Sequence, residues 1–178
     1  VISPEEELFI YNLHNNSIHD SGYVDYFKRF IDKSIMSQTL YGREGLDFGS
    51  GPSPVLAMIL EREYHFKMDI YDLFYAPEKV YIGKKYDLIT STEVVEHFMD
   101  PMAYFKLFRS LMKEDGLLAV MTKFHPLNND KFLKWHYIRD DSHISFYSQE
   151  TMKKIAELLK LEIVYMDKFK NTVFRIRQ

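Results

Sequence analysis

The chain has 178 residues, a formal net charge of -3 and no cysteine, and this length suits one domain. Disulfides, thiolate metal sites and cysteine nucleophiles are excluded together, and the mildly acidic balance offers no long-range attraction for a phosphate backbone. No apolar run approaches the roughly 20 residues that span a bilayer and no signal-peptide pattern opens the chain, so a soluble, cytoplasmic protein is expected, with neither DNA nor membrane as partner.

Ser3 and Pro4, followed by Glu5, Glu6 and Glu7, predict a capped helix with Leu8, Phe9 and Tyr11 on its apolar side. A second helix is predicted over residues 23–37, where Tyr26, Phe27, Phe30, Ile31 and Ile35 recur at helical spacing. Residues 1–40 are read as a helical cap or lid, and residues 41–178 as one compact sheet domain. From Gly45 the pattern changes to strand–helix alternation. Residues 46–48 form a short apolar strand that ends in a glycine turn, and residues 54–63 a helix with Pro54 in its first turn. Residues 65–71 read as a strand and 73–85 as irregular. Strands at 86–90 and 117–122 flank a helix over 101–112. Ser148 caps a helix over 148–159, and strands at 161–166 and 172–176 close the chain as a hairpin. Such alternation implies a Rossmann-like, doubly wound α/β fold of three layers, its sheet mostly parallel with helices on both faces. Ligands of such sheets bind beyond the carboxyl ends of the strands.

The turn after the first strand reads Gly49-Ser50-Gly51-Pro52-Ser53-Pro54, with Asp47 just ahead of it. Gly49 and Gly51 permit a sharp backbone turn and the close approach of a ligand. Amides of the following helix add partial positive charge. A ligand-free strand-to-helix turn would use the same glycines. Asp72 closes the next strand about 20 residues on, where an acidic side chain can accept the ribose hydroxyls of an adenosine cofactor. Asp69 is the fallback. Both features also suit a nicotinamide oxidoreductase, but its G-x-G-x-x-G fingerprint would need glycine at Pro54.

The segment YDLITSTEVVEHFMDP, residues 86–101, followed by LFRSLMKEDGLLAVMT, residues 107–122, closely resembles the class I S-adenosylmethionine-dependent methyltransferases. The likeness runs from about Gly45 to the end of the chain. KWHYIRDDSHISFYSQETM, residues 134–152, resembles a bacterial-type branch of that superfamily. The resemblance implies a seven-stranded sheet with an antiparallel last strand. Here the stretch between Asp72 and Tyr86 is too short for a full helix-and-strand unit, so the third strand is expected to be reduced or missing. Ser53 replaces the usual third glycine. The implied cofactor is S-adenosyl-L-methionine, leaving as S-adenosyl-L-homocysteine. The expected contacts are Asp47, Gly49, Ser50, Gly51, Asp72, Leu73, Thr92 and Glu93, with Leu73 and Phe74 as an apolar adenine wall and Tyr11 and His14 from an N-terminal lid that includes Asn15 and Asn16.

The resemblance puts the substrate side between the fifth strand and the last helix, where His125, Trp135, His136, His143 and Tyr147 cluster. His143 is the preferred general base, since imidazole titrates near neutrality, and His97 is the second catalytic candidate. Glu93, Glu96 and His97 would share one face of a helix starting near Thr92. That triplet resembles the magnesium or manganese turn of RNA 2'-O-methyltransferases and of some quinone-biosynthesis methyltransferases, although metal-free relatives carry it too. No metal is expected, and this triplet, joined by His125 or His143, is the alternative. The expected acceptor is a small molecule methylated on oxygen or nitrogen. A non-catalytic cofactor-binding or partner-binding module on the same fold is the main competitor, and an NAD-dependent oxidoreductase the weaker one.

Overall fold

The computed structural model of the protein describes residues 3, 5, 6, 8 and 17–177. The predicted lid residues Tyr11, His14, Asn15 and Asn16 lie outside them. Among the described residues, strands β1 (Glu44–Phe48), β2 (Lys67–Tyr71), β3 (Tyr86–Thr92), β4 (Met112–Met121), β5 (Leu161–Met166) and β6 (Asn171–Ile176) form one sheet. Its order is β2-β1-β3-β4-β6-β5. The first four strands pair in parallel, and β6 runs antiparallel to both of its neighbours. Residues 73–85 contribute neither helix nor strand, so the expected loss of one strand is what the sheet shows.

Helices cover both faces. On one side, α1 (Ser21–Phe30) and the π-helical turn Ile31–Ile35 that continues it pack with α2 (Val55–Tyr64). Phe27, Phe30, Ile31 and Ile35 share a buried cluster there with Val55, Leu56, Ile59, Leu60 and the inward residues of β3, β4 and β6. The helical spacing of those four apolar residues thus marks a face that completes the core. Asp20 caps α1 by accepting the Tyr23 N–H at 3.1 Å. On the other side, α3 (Pro101–Leu111) and α5 (Gln149–Leu158) cover a cluster built on Phe48, Phe105, Phe108, Tyr147 and Phe174. Ser148 and Thr151 cap α5 reciprocally. A short helix α4 (Asn129–Leu133) lies in the segment between β4 and α5.

Three boundaries differ from expectation for local reasons. His65 adopts φ +59° and caps α2, so β2 begins only at Lys67. Met112 already pairs with Tyr86, and the chain then bulges through residues 113–116 before Leu117 meets Leu88. Lys113 anchors the bulge on Glu44 at 2.7 Å and Asp87 at 3.0 Å. No helix starts near Thr92: β3 continues to Thr92, Glu93 turns back at φ +56°, and a 3-10 turn covers Val95–His97.

Candidate active site

The carboxyl ends of β1, β2 and β3 open into a cavity of about 910 Å³. Small-molecule sites run to roughly 1,000 Å³, so this one has room for a nucleoside and a second molecule. At its floor, Gly49 and Gly51 take φ +87° and +66°, a region that L side chains rarely adopt. A Cβ on Gly49 would collide with the Val94 side chain, whereas a Cβ on Gly51 would meet only open space. The Tyr71 carbonyl accepts the N–H of Gly49 at 2.7 Å and of Ser50 at 3.2 Å, which ties the turn to β2. Ser50 Oγ is buried without a hydrogen-bond partner among the described residues. Such an atom is costly unless something supplies a partner, and the open side of Gly51 shows where a ligand could approach.

Asp72 lies 9% exposed beside this turn. Its carboxylate accepts the N–H of Gly51 at 2.9 Å, Phe74 at 2.9 Å and Tyr75 at 3.1 Å. It thus holds the glycine turn and the loop carrying Leu73, Phe74 and Tyr75 against each other, and all of these line the cavity. Asp69 does not reach the cavity. Its carboxylate is taken by Lys84 and the Tyr86 hydroxyl, each at 2.7 Å, because it sits in the middle of β2, with its neighbours Lys84 and Tyr86 toward the amino ends of the strands and not at the carboxyl ends that open into the cavity. Asp47 is fully buried and accepts the Thr90 hydroxyl at 2.8 Å. Burial pushes its carboxyl up to about 6 against the pull of that hydrogen bond, and nearby Asp72 adds to the rise.

Thr92 and Glu93 line the cavity beyond β3. Glu93 accepts the Tyr26 hydroxyl at 2.9 Å and lies 3.1 Å from that of Tyr137, which also meets Glu96. One phenolic proton cannot serve two carboxylates. Burial and the Glu93 charge hold Glu96 well above the usual carboxylate range. Burial together with Glu93 and Glu96 likewise raises Tyr137 above the ordinary phenol value.

His97 and His143 stand side by side on the cavity wall, ring centres 4.9 Å apart. The Nδ1 of His97 bonds the Ser142 carbonyl at 3.0 Å, and that of His143 bonds the Tyr137 carbonyl at 2.8 Å. A carbonyl only accepts, so both rings carry their proton on Nδ1. The Nε2 of His143 lies 3.7 Å from Asp140 Oδ2, which would favour a proton arriving there. The sequence-based metal triplet changes membership. Donor atoms of Glu96, His97 and His143 all lie within 4.8 Å of one another, and Glu93 is outside that group because the expected helix does not form. Glu96 itself is fully buried, with the Tyr137 hydroxyl and Thr122 as its side-chain neighbours.

Of the predicted substrate-side cluster, His136 and His143 line the cavity. The others pack the segment around it: His125 bonds the Pro126 carbonyl and meets Phe132, Trp135 stacks near Tyr137, and the buried Tyr147 hydroxyl donates to the Val95 carbonyl. Sequence reasoning missed Tyr23, Tyr26, Lys123, Tyr137, Asp140 and Lys170 as lining residues. Tyr137 and Asp140 were within the quoted W-H-Y…D-x-x-H stretch and could have been read from it. Tyr23 and Tyr26 were hidden by the core pattern of α1.

Residues 22–165 match a family model described as a methyltransferase domain. A segment of 40 residues is 42% identical to the ubiquinone biosynthesis O-methyltransferase of Cereibacter sphaeroides, covering 22% of this chain and 16% of that enzyme. The fold is similar to an O-methyltransferase family protein from Burkholderia thailandensis (TM-score 0.64, 12% identity, 90% of this chain and 61% of the other). It is also similar to an S-adenosylmethionine-dependent methyltransferase from Clostridium acetobutylicum (TM-score 0.56, 13% identity, 98% and 99%).

Proposed function

Because the chain belongs to the methyltransferase-domain family, we propose that it is an S-adenosylmethionine-dependent methyltransferase acting on an oxygen or nitrogen of a small molecule. One observation carries this reading: the strained glycine turn with Asp72 and the paired histidines open into the same cavity. When bound, the cofactor supplies a methyl group already activated for in-line displacement.

The residues fit such a group. Gly49 and Gly51 would let it approach the turn closely, on the open side of Gly51. Asp72 is placed for the ribose, and Leu73 and Phe74 for the adenine. Asp47, at the end of β1, offers a buried negative charge to a cationic centre. The wall formed by Tyr23, Tyr26 and Tyr137 excludes water and orients the acceptor, and positioning contributes most in a displacement of this kind. His143 Nε2 takes the acceptor's proton, and Asp140 steadies the resulting imidazolium. Radiolabelled methyl transfer into cell-extract metabolites tests the proposal. Incorporation lost in His143→Ala supports it, and binding of the cofactor with no transfer to any acceptor contradicts it.

A second reading rests on Glu96, His97 and His143. Two imidazoles and a carboxylate whose donor atoms lie within 4.8 Å of one another suit a divalent cation such as magnesium or manganese, and the Nδ1 bonds to backbone carbonyls orient the rings for ligation through Nε2. There the ion would hold and polarise the acceptor oxygen, and His143 would be a ligand rather than the base. Methyl transfer that survives exhaustive chelation selects the first reading, and transfer that returns only with added manganese or magnesium selects the second.

A further inference from the structure

The cavity that holds the glycine turn is also lined by two lysines. Lys123 follows β4 and Lys170 precedes β6, on the half of the sheet that β3 separates from β1 and β2. The Thr122 N–H donates to the Lys170 carbonyl at 3.0 Å, which sets the two residues side by side. Among the described residues that line the cavity, these are the only lysines, and no arginine joins them.

Among the described residues, neither ammonium has a carboxylate partner within salt-bridge distance. The carboxylates around them are engaged by other donors. Glu93 serves Tyr26 and Tyr137, Asp140 Oδ1 serves the amide and hydroxyl of Ser142, and Asp167 serves the turn amides of Phe169, Lys170 and Asn171. Instead, Lys170 Nζ lies 3.8 Å from the centre of the Tyr26 ring, and Lys123 Nζ lies 5.1 Å from that of Tyr137. Lys123 also donates to His136 Nε2 at 3.2 Å. Half-burial lowers Lys170, with Lys123 and Arg29 adding like-charge repulsion. Two neighbouring cations with unused donors, set against two aromatic rings, want an anion on a flat apolar body.

We propose that Lys123 and Lys170 form the acceptor's anion subsite, so that the methyl acceptor is a planar or aromatic molecule bearing a carboxylate or phosphate. This deepens the methyltransferase reading and rests on it. The subsite and the cofactor turn line one cavity, the lysines beside β4 and β6 and the turn after β1, with β3 between them in the sheet.

The test is calorimetric titration of the full chain, saturated with S-adenosylhomocysteine, by benzoate, phenyl phosphate and benzyl alcohol. Charge-assisted hydrogen bonds predict that the preferred anion binds about tenfold or more tighter than the alcohol, and the two anions distinguish carboxylate from phosphate. K123M/K170M abolishes the preference, and K123R/K170R keeps it. Should the double methionine variant fail to fold, K170M alone weakens the preference. Equal binding of all three probes, no binding of either anion, or a preference that survives in the methionine variants overturns the proposal. Loss of S-adenosylhomocysteine binding in those variants also overturns it, by assigning the lysines to the cofactor's own carboxylate. A chain that binds no S-adenosylhomocysteine yet keeps the anion preference overturns the methyltransferase reading and leaves the subsite standing.

Discussion

Asp47→Asn separates a cost in stability from a gain in function. Asp47 is 2% exposed, and the Thr90 hydroxyl is its one hydrogen-bond donor among the described residues. Its carboxyl is raised from 3.8 to about 6, mainly by burial. The folded protein therefore binds this proton more tightly than the unfolded chain does. Stability from this group is fully present below about pH 4 and is lost as pH rises through about 6. A shift of about two units corresponds to about 3 kcal/mol. Asparagine keeps an acceptor for Thr90 and carries no charge, so the substitution removes that loss. Urea unfolding of both proteins, without ligand, from pH 4 to pH 7.5 reads the difference. The variant should gain about 2–3 kcal/mol relative to the parent across that range, and its S-adenosylhomocysteine affinity at pH 7.5 should fall roughly tenfold. A stability difference that does not change with pH would show that Asp47 is not a strained buried charge, and the reasoning would fail.

Gly49→Ala combines left-handed strain with a collision against Val94 and should cost about 2–4 kcal/mol in urea unfolding. Gly51→Ala meets open space and should cost only about 1 kcal/mol while still blocking cofactor binding in calorimetry. Equal stability losses in the two would contradict the turn geometry. Asp72→Ala leaves three amides without their acceptor and should weaken S-adenosylhomocysteine binding by about tenfold or more, whereas Asp69→Ala should leave it within about twofold; the reverse ranking would return the ribose to Asp69. On the metal reading, in which Glu96, His97 and His143 hold the ion, manganese should raise the melting temperature of the parent and Glu96→Gln should abolish the rise. An unchanged melting temperature at millimolar manganese would dismiss that reading.

Elements whose side chains answer to one dominant force were legible in sequence. The apolar spacing of α1, the Ser148 cap and the alternating terminal strands predicted their places closely, because core burial or a capping bond decides each. The deficit of residues between Asp72 and Tyr86 was enough to remove one strand from the expected sheet. The glycine turn was legible because backbone geometry makes it, at Gly49 and Gly51, and of the two acids offered for the ribose Asp72 lines the cavity and Asp69 does not. It was not legible where the fold gathers residues far apart in sequence. Glu96, His97 and His143 meet where Ile144 and Ser145 both donate to the Glu96 carbonyl, at 2.9 Å each, and the His97 ring bonds the Ser142 carbonyl. Glu93 escaped the helical-face argument because its positive φ ends β3 with a reversal that nothing in its residue type announces. Lys123 and Lys170 are ordinary lysines in sequence, and only the antiparallel return of β6 brings them together.

Calorimetric titration of the chain with S-adenosylhomocysteine, with NADH in parallel, tests the central claim most directly. The account predicts saturable one-to-one binding of S-adenosylhomocysteine that Gly51→Ala abolishes, and no heat with NADH. No S-adenosylhomocysteine binding at high micromolar concentration, or binding that Gly51→Ala leaves intact, would contradict it.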